Sequence, residues 1–220
     1  MPDGNMWLMA ALRRLRSDSA GFSLPEIMIT TAISLAACAT FLSFSNFQLA
    51  ALRNQADQLD MQTAGRSIVD LFAREVRRAG RNPTCAGTFA AIAEATSYRL
   101  RIQSDLNGSG TIDGHNEDIT YGFNTYSRAI TRLADGVTDE LVSGIDPTGS
   151  RLRYFDAAGS ELIPVWALTQ AQRNSVRRVR LELTVRSGAT RYGRSAPLQT
   201  QVSTDVDLRN RFFVAKTGCP

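Results

Sequence analysis

The order of hydrophobic and polar residues divides the chain into a helical part and a part with strand periodicity. Ile27 to Leu52 is a run of about 26 residues without a charged side chain, and about 20 apolar residues are enough for a helix to cross a bilayer. Beyond this run, apolar residues recur at helical spacing as far as Ala79. The pattern predicts one helix from about Pro25 to Ala79, on the order of 80 Å long.

Several signals mark the end of this helix. Three arginines gather in its last turn, where cations suit the negative end of the helix dipole. Gly80 can adopt the left-handed conformation that often follows a helix, and Asn82-Pro83 prevents its continuation. The arginines are Arg74, Arg77 and Arg78.

After a connector of small residues, Cys85 to Ala95, apolar and polar residues alternate with the period of a half-buried strand. Six runs carry this pattern: Tyr98 to Gln103, Ile119 to Phe123, Ile130 to Leu133, Arg151 to Phe155, Val176 to Arg186 and Leu198 to Leu208. Leu168 to Asn174 is predicted to form one or two helical turns. We therefore predict an α+β fold, in which the amphipathic second half of a long N-terminal helix packs on an antiparallel β-sheet domain.

The stretch Gly21-Phe22-Ser23-Leu24-Pro25-Glu26 stands directly before the apolar run. A secretory signal has its cleavage site after the apolar run, whereas here the glycine and a basic flank precede it. That flank, Arg13 to Arg16, should stay on the cytoplasmic side. A carboxylate at a membrane boundary is costly unless a cation or polar group receives it, and an N-terminal ammonium is a natural partner for Glu26. The alternative is that Glu26 has only a local role, in which its negative charge stabilises the first turn of the helix by interacting with the helix dipole.

This stretch resembles the cleavage and methylation motif of type IV prepilins. The resemblance implies that a prepilin peptidase cuts between Gly21 and Phe22 and that the new N-terminal Phe22 is N-methylated. It also implies that Glu26 neutralises the amine of a neighbouring subunit during filament assembly. Residues 1–21 would be a leader, 22–52 a transmembrane and assembly helix, and 53–220 a periplasmic globular domain that includes the second half of the helix.

Two further stretches indicate which group of type IV pilins the chain resembles. Phe72 to Pro83 and the closing run Val206 to Asn210 are similar to segments of PilW-like and J-type minor pilins. A minor pilin or pseudopilin would be a structural and assembly subunit of a type IV pilus or a type II secretion pseudopilus. Its partners would be other major and minor pilins, the prepilin peptidase and methylase, and the inner-membrane assembly platform. It would cross the inner membrane once, with its N-terminus cytoplasmic, before it enters the filament.

The alternative function is an adhesin or DNA-uptake binding module displayed at the tip of a pilus-like filament. A binding module of this kind needs an exposed aromatic patch or a basic stripe. The formal net charge is only +4, and arginines are scattered among apolar residues. No aromatic platform is interleaved with them, so we expect solvated strand faces and no nucleic-acid contact. We expect no enzyme either, because His115 is the only histidine and the sequence has no phosphate-binding or dinucleotide motif.

Three cysteines are present. Cys38 lies in the apolar run and is interpreted as a small packing residue. Cys85 and Cys219 lie beyond the membrane segment, where an oxidising periplasm would allow them to form a disulfide. The alternative is two separate thiols.

The loop from Asp105 to Asp113 predicts a calcium site. Oxygen-bearing side chains stand at loop positions one, three, five and nine, with glycine at six and isoleucine at eight, as in the opening of an EF-hand loop. At position twelve Asn116 replaces the usual glutamate, and one inserted residue could bring Glu117 into that role. The alternative is a polar hairpin turn. The predicted ligands are Asp105, Asn107, Ser109, Thr111, Asp113 and Glu117.

Overall fold

The computed structural model describes residues 21–85, 89–187 and 196–210 of the 220-residue chain. These ranges contain a long helix α1 (Leu24–Arg78), a short helix α2 (Gln170–Ser175) and nine strands. The strands are β1 (Ile92–Ala95), β2 (Arg99–Gln103), β3 (Asp118–Asn124), β4 (Ala129–Ala134), β5 (Val137–Ser143), β6 (Arg151–Phe155), β7 (Glu161–Leu162), β8 (Arg178–Arg186) and β9 (Gln199–Asp207).

The strands form two sheets. The first has the order β1-β2-β3-β4-β5, so each strand pairs with its neighbour in sequence, and the second has the order β7-β6-β8-β9. Every paired neighbour is antiparallel. The predicted α+β fold with a long N-terminal helix and antiparallel strands is confirmed. The strands of the predicted β-sheet domain are divided between the two sheets.

The chain divides into two compact units, one up to Leu52 and one from Arg53 onward. In the first unit, no described residue of α1 is buried. In the second unit, the helix carries a buried stripe, which comprises Met61, Gly65, Ile68, Phe72, Ala73, Glu75 and Val76. This stripe has the three- and four-residue spacing of a helix face that packs on a core.

The core of the second unit lies between this stripe and the apolar faces of the strands. Phe72 and Tyr121 are both buried, and their rings meet edge to face with centroids 5.1 Å apart. Gly65 lets the helix come close to β9, since a Cβ there would lie 2.9 Å from Val202 Cγ2. Strand β8 shows how the sequence produces the fold, because its buried Val and Leu residues alternate with Arg, Glu and Thr.

The helix ends one residue earlier than predicted, at Arg78, and Gly80 follows in the left-handed conformation with φ of +75°. The Gly80 N–H donates to the Gln103 carbonyl at 2.8 Å. The Asn210 side-chain amide donates to the Arg78 carbonyl at 3.0 Å, with longer contacts to its two neighbours. The closing run of the chain therefore satisfies carbonyls that the helix end leaves unpaired.

Three strands of the structure, β1, β5 and β7, were not predicted from the sequence. Strand β1 lies in the stretch predicted as a connector, because a bulge between Ile92 and Glu94 disrupts its alternation. Strand β5 contains adjacent acids and lies at a sheet edge, so it lacks a buried face with period two. The sequence feature that could have indicated β5 is the Asp135-Gly136 pair, which forms a two-residue hairpin turn with φ of +52° and +78°. Strand β7 has only two residues.

Candidate functional site

The apolar half of α1 is the first candidate site. Among the described residues, α1 is the helix long and apolar enough to cross a membrane, by length and composition. Its large apolar side chains are exposed, including Phe22 at the N-terminal end and the Phe and Leu residues that follow. Threonine and serine hydroxyls in this half donate to carbonyls three or four residues earlier, which satisfies them within the helix.

Glu26 lies in the first turn of α1, as the dipole interpretation requires. The Ser23 carbonyl accepts the N–H groups of Glu26 and Ile27 at 3.0 and 3.1 Å and so begins the helix. The Glu26 carboxylate accepts the Ser23 N–H at 3.4 Å and is exposed. Among the described residues this is the one hydrogen bond that the carboxylate accepts, and it leaves most of the lone-pair positions available to a cation.

The second candidate site is the loop between β2 and β3, which contains the predicted calcium ligands. Asp105 is fully buried, and its carboxylate accepts the N–H groups of Gly108 at 2.6 Å and Gly110 at 2.9 Å. Both glycines have positive φ, which turns their N–H groups inward. Asp105 therefore organises the first turn of the loop.

Glu117 organises the end of the loop. The residue is only 1% exposed. Its carboxylate accepts four backbone N–H groups between 2.7 and 3.0 Å, from Leu106, Asn107, Asp113 and Gly114. Burial raises the pKa of Glu117, but the four N–H groups outweigh it and the net pKa is lowered. A carboxylate has about four lone-pair positions, so the loop backbone already uses all of them.

Asp113 is the centre of a smaller cluster of oxygens on the exposed side of the loop. It accepts the Ser109 hydroxyl at 2.9 Å and the Thr111 hydroxyl at 2.7 Å. The Thr111 and Asn107 side chains, with that of Ser109, lower its pKa. The Ser109 hydroxyl also lies 3.3 Å from the Thr111 carbonyl oxygen. Separations of this kind suit oxygens that share one calcium ion at 2.3–2.6 Å.

The fit to calcium is therefore partial. Ser109, Thr111 and Asp113 converge, and each Asp105 oxygen accepts one N–H, which leaves a second position open with respect to the described part of the chain. Glu117 could become a ligand only by releasing some of its N–H groups. Within the described ranges, no group of three or more His, Cys, Asp or Glu side chains is placed to share a metal. Calcium binding stays a prediction.

Asn116, at loop position twelve, ties the loop to the rest of the unit. Its side-chain oxygen accepts Arg132 Nη2 at 2.6 Å, and its N–H donates to Asp135 at 3.0 Å. The neighbouring His115 places Nδ1 2.5 Å from the other oxygen of Asp135. The single histidine is thus part of a contact between the loop and the β4–β5 turn.

Sequence reasoning missed a buried polar cluster around Glu75. Its carboxylate accepts Arg132 Nη2 at 2.8 Å and the Tyr121 hydroxyl, so one helix side chain contacts both β3 and β4. Burial, with the Glu75 charge, raises the pKa of Tyr121 well above its ordinary range and keeps the hydroxyl a donor. The signal was present, because Glu75 lies three residues after Phe72 and seven after Ile68, on the core-facing stripe.

The strand arginines are paired with acids across the sheets. Such pairs neutralise the outer strand faces, in agreement with the interpretation of solvated surfaces. They are Arg99–Glu94, Arg101–Asp118, Arg151–Glu182, Arg153–Glu161, Arg178–Asp207 and Arg180–Asp205.

The predicted disulfide lies partly outside the described residues. Cys85 follows the end of the helix region with φ of +55°, and Cys219 is outside the described ranges. Cys38 is an exposed free thiol on the apolar half of α1. The Cys85–Cys219 bond stays a prediction.

Comparisons with known proteins add one structural likeness. A type IV-like pilin from Thermus thermophilus is similar to the chain, with 11% sequence identity and a TM-score of 0.39. The aligned part covers 68% of this chain and 97% of the pilin. No family model matches the sequence, and no curated protein matches it.

Proposed function

We propose that the chain is a pilin-type filament subunit of the minor pilin or pseudopilin class. The observation that carries the proposal is the contrast along α1, whose residues are never buried before Met61 and then form a core stripe. An apolar helix surface of this length, with no partner among the described residues of its own unit, needs a bilayer or neighbouring helices. A subunit that is first held in the membrane and then enters a filament would bury this surface in the bilayer and afterwards against neighbouring helices.

The same proposal orders the chain across the membrane. The basic flank before Gly21 stays in the cytoplasm, residues 22–52 cross the inner membrane once, and the unit from Arg53 onward lies in the periplasm. The peptidase releases Phe22 as the N-terminus and methylates it. The partners are other pilins, that peptidase and the assembly platform, and the filament is a type IV pilus or a type II secretion pseudopilus.

Glu26 supplies the assembly contact in this proposal. Its exposed carboxylate, held by one long hydrogen bond to Ser23, is free to meet the N-terminal ammonium of a neighbouring subunit in an apolar surrounding. Two opposite charges attract strongly where the local dielectric constant is low. The contact would form only after cleavage creates the ammonium at Phe22.

Incorporation of Glu26→Ala into sheared filaments of the native host tests this role, with mass spectrometry as the check on cleavage. We expect normal cleavage and much reduced incorporation. Equal incorporation of variant and parent would rule out the assembly role of Glu26, whereas a parent that never enters filaments would rule out the proposed function itself.

We also propose that the loop from Asp105 to Glu117 binds calcium as a structural ion. The convergence of Ser109, Thr111 and Asp113 supports the proposal, and Asp105 would add its carboxylate from the buried side of the loop. Asn107 would contribute its amide oxygen, which now accepts the Ser109 N–H at 2.8 Å. The ion would stabilise the loop and supply no chemistry.

A Cys85–Cys219 disulfide is the third element of the proposal. It would tie the C-terminal residues to the region just after α1 and stabilise the unit by about 4–5 kcal/mol in the chain-entropy model, less any strain. Peptide mapping of unreduced periplasmic protein is the test, and two free thiols would exclude the bond.

A further inference from the structure

The loop between β7 and α2 exposes a continuous apolar segment, Ile163-Pro164-Val165-Trp166-Ala167. The side chains of Ile163, Val165 and Trp166 are 71%, 88% and 89% exposed. Single exposed apolar residues are ordinary on protein surfaces, whereas a contiguous set that includes a tryptophan marks a contact site. We call this segment the apolar loop.

The fold holds the apolar loop outward at both of its ends. On one side Leu162 pairs with Tyr154 in the second sheet. On the other side Leu168 is buried and donates its N–H to the Ala95 carbonyl at 2.9 Å. Thr169 then starts α2 with a capping box to Gln172. The exposed side chains are therefore presented by a fixed frame.

The sequence that follows the apolar loop is basic. Between Glu161 and Glu182 the sequence has no acidic residue. Arg173 donates to the Leu168 carbonyl at 2.7 Å, directly beside the loop, and to the Gln170 side chain. Arg177 donates to the carbonyls of Asn174 and Val176. Within the described ranges neither arginine has an ion pair with Asp or Glu, unlike the strand arginines.

We propose that the apolar loop docks the globular unit on an anionic bilayer surface. Trp166 and its aliphatic neighbours would enter the headgroup region, where amphipathic aromatic rings concentrate. Arg173 and Arg177 would meet anionic lipid headgroups, which attract basic residues close to the surface. A purely apolar pocket would satisfy the apolar side chains alone, whereas an anionic bilayer satisfies both the apolar side chains and the two arginines that lack an ion pair within the described ranges. The inference does not rest on the proposed filament function.

Trp166 is itself the probe for this proposal. The chain has two tryptophans, Trp7 and Trp166, so Trp7→Phe leaves a single emitter. The full chain with this substitution is reconstituted in vesicles of phosphatidylcholine, with and without phosphatidylglycerol. In the anionic vesicles we expect emission at shorter wavelength, a severalfold loss of acrylamide quenching, and quenching by brominated lipid chains. High salt should weaken these effects, since it screens the arginines.

Three variants sharpen the test. A matched reporter combines Trp7→Phe and Trp166→Phe with Tyr126→Trp, which places the tryptophan at a turn where the native side chain is 98% exposed. This reporter should stay open to acrylamide in every vesicle. Val165→Asp, at an exposed position that does not support the core, should restore quenching of Trp166. Arg173→Gln with Arg177→Gln should remove the preference for anionic lipid.

Two results would overturn the proposal. One is a Trp166 that acrylamide quenches as strongly as the Tyr126→Trp reporter in anionic vesicles. The other is a Trp166 that becomes shielded equally in detergent, without lipid, as protein concentration rises, which would assign the apolar loop to a protein contact.

Discussion

The guanidinium of Arg132 on β4 donates hydrogen bonds from two nitrogens to the carboxylate of Glu75 on α1. Nη2 lies 2.8 Å from Oε1, and Nε lies 3.1 and 3.2 Å from the two oxygens. The two side chains are only 13% and 8% exposed. The pair joins the helix to the first sheet, and through Asn116 it also reaches the end of the candidate calcium loop.

Replacing Glu75 should therefore reduce the free energy of unfolding much more than breaking an ion pair on the surface. Glu75→Gln leaves the buried Arg132 charge without a counterion, and we expect a loss of about 3–5 kcal/mol in the free energy of unfolding. Asp118→Asn is the matched control, because it breaks the half-exposed Arg101–Asp118 pair and should cost about 1 kcal/mol or less. Denaturant unfolding followed by circular dichroism measures both, and equal losses would contradict the buried role of the pair.

Two glycines with the same backbone conformation should respond differently to alanine. Gly80 and Gly136 have φ of +75° and +78°. A Cβ at Gly80 would lie 2.7 Å from Ala91 Cβ, whereas a Cβ at Gly136 meets nothing within 4 Å. Gly136→Ala should cost only the left-handed strain, about 1–2 kcal/mol. Gly80→Ala should add about 1–3 kcal/mol for overpacking. Equal melting temperatures for the two variants would show that Ala91 moves aside freely.

The sequence allowed the long helix, its end and the strongly alternating strands to be predicted, because a core face imposes a period that single residues reveal. Strand β8, with alternate Val and Leu, shows this. The partners across the fold could not be predicted in the same way. Glu75 meets Arg132 and Tyr121 only because β3 and β4 bring residues 46 and 57 positions away to the helix. Similarly, Glu117 looked like a metal ligand by spacing, and only the loop backbone shows the four N–H groups that it accepts.

The acid sensitivity of the loop follows from Glu117. Its folded pKa lies below the ordinary value of 4.5, so the ionised form favours the folded state. This stabilisation is complete above about pH 4.5 and is lost as pH falls through the lower folded pKa. Glu117→Gln cannot accept the same four N–H groups, so it should be less stable near pH 7 and approach the parent as the pH falls below the lowered folded pKa of Glu117. Unfolding curves across this range test the prediction, and a constant difference would contradict it.

Calcium should raise the melting temperature of the chain, and chelator should lower it. Because only the folded loop brings the oxygens together, a hundredfold excess over Kd adds about 2.7 kcal/mol. Magnesium should substitute poorly, since it demands a smaller octahedral shell. Asp113→Ala should abolish the response and is preferable to a change at Asp105, which also holds the first turn of the loop. A parent unaffected by chelator would leave the loop as a hydrogen-bonded turn.

The proposal that the chain is a processed, pilin-type subunit depends on the junction between Gly21 and Phe22. Mass spectrometry of the protein coexpressed with its prepilin peptidase is the direct measurement. The account predicts an N-terminus at Phe22 carrying one methyl group, and a block of cleavage when Gly21 is replaced by a large residue. A Cβ at Gly21 meets no described atom within 4 Å, so such a replacement does not disturb packing in the described part of the chain. A precursor that keeps residues 1–21 in its native host would contradict the account.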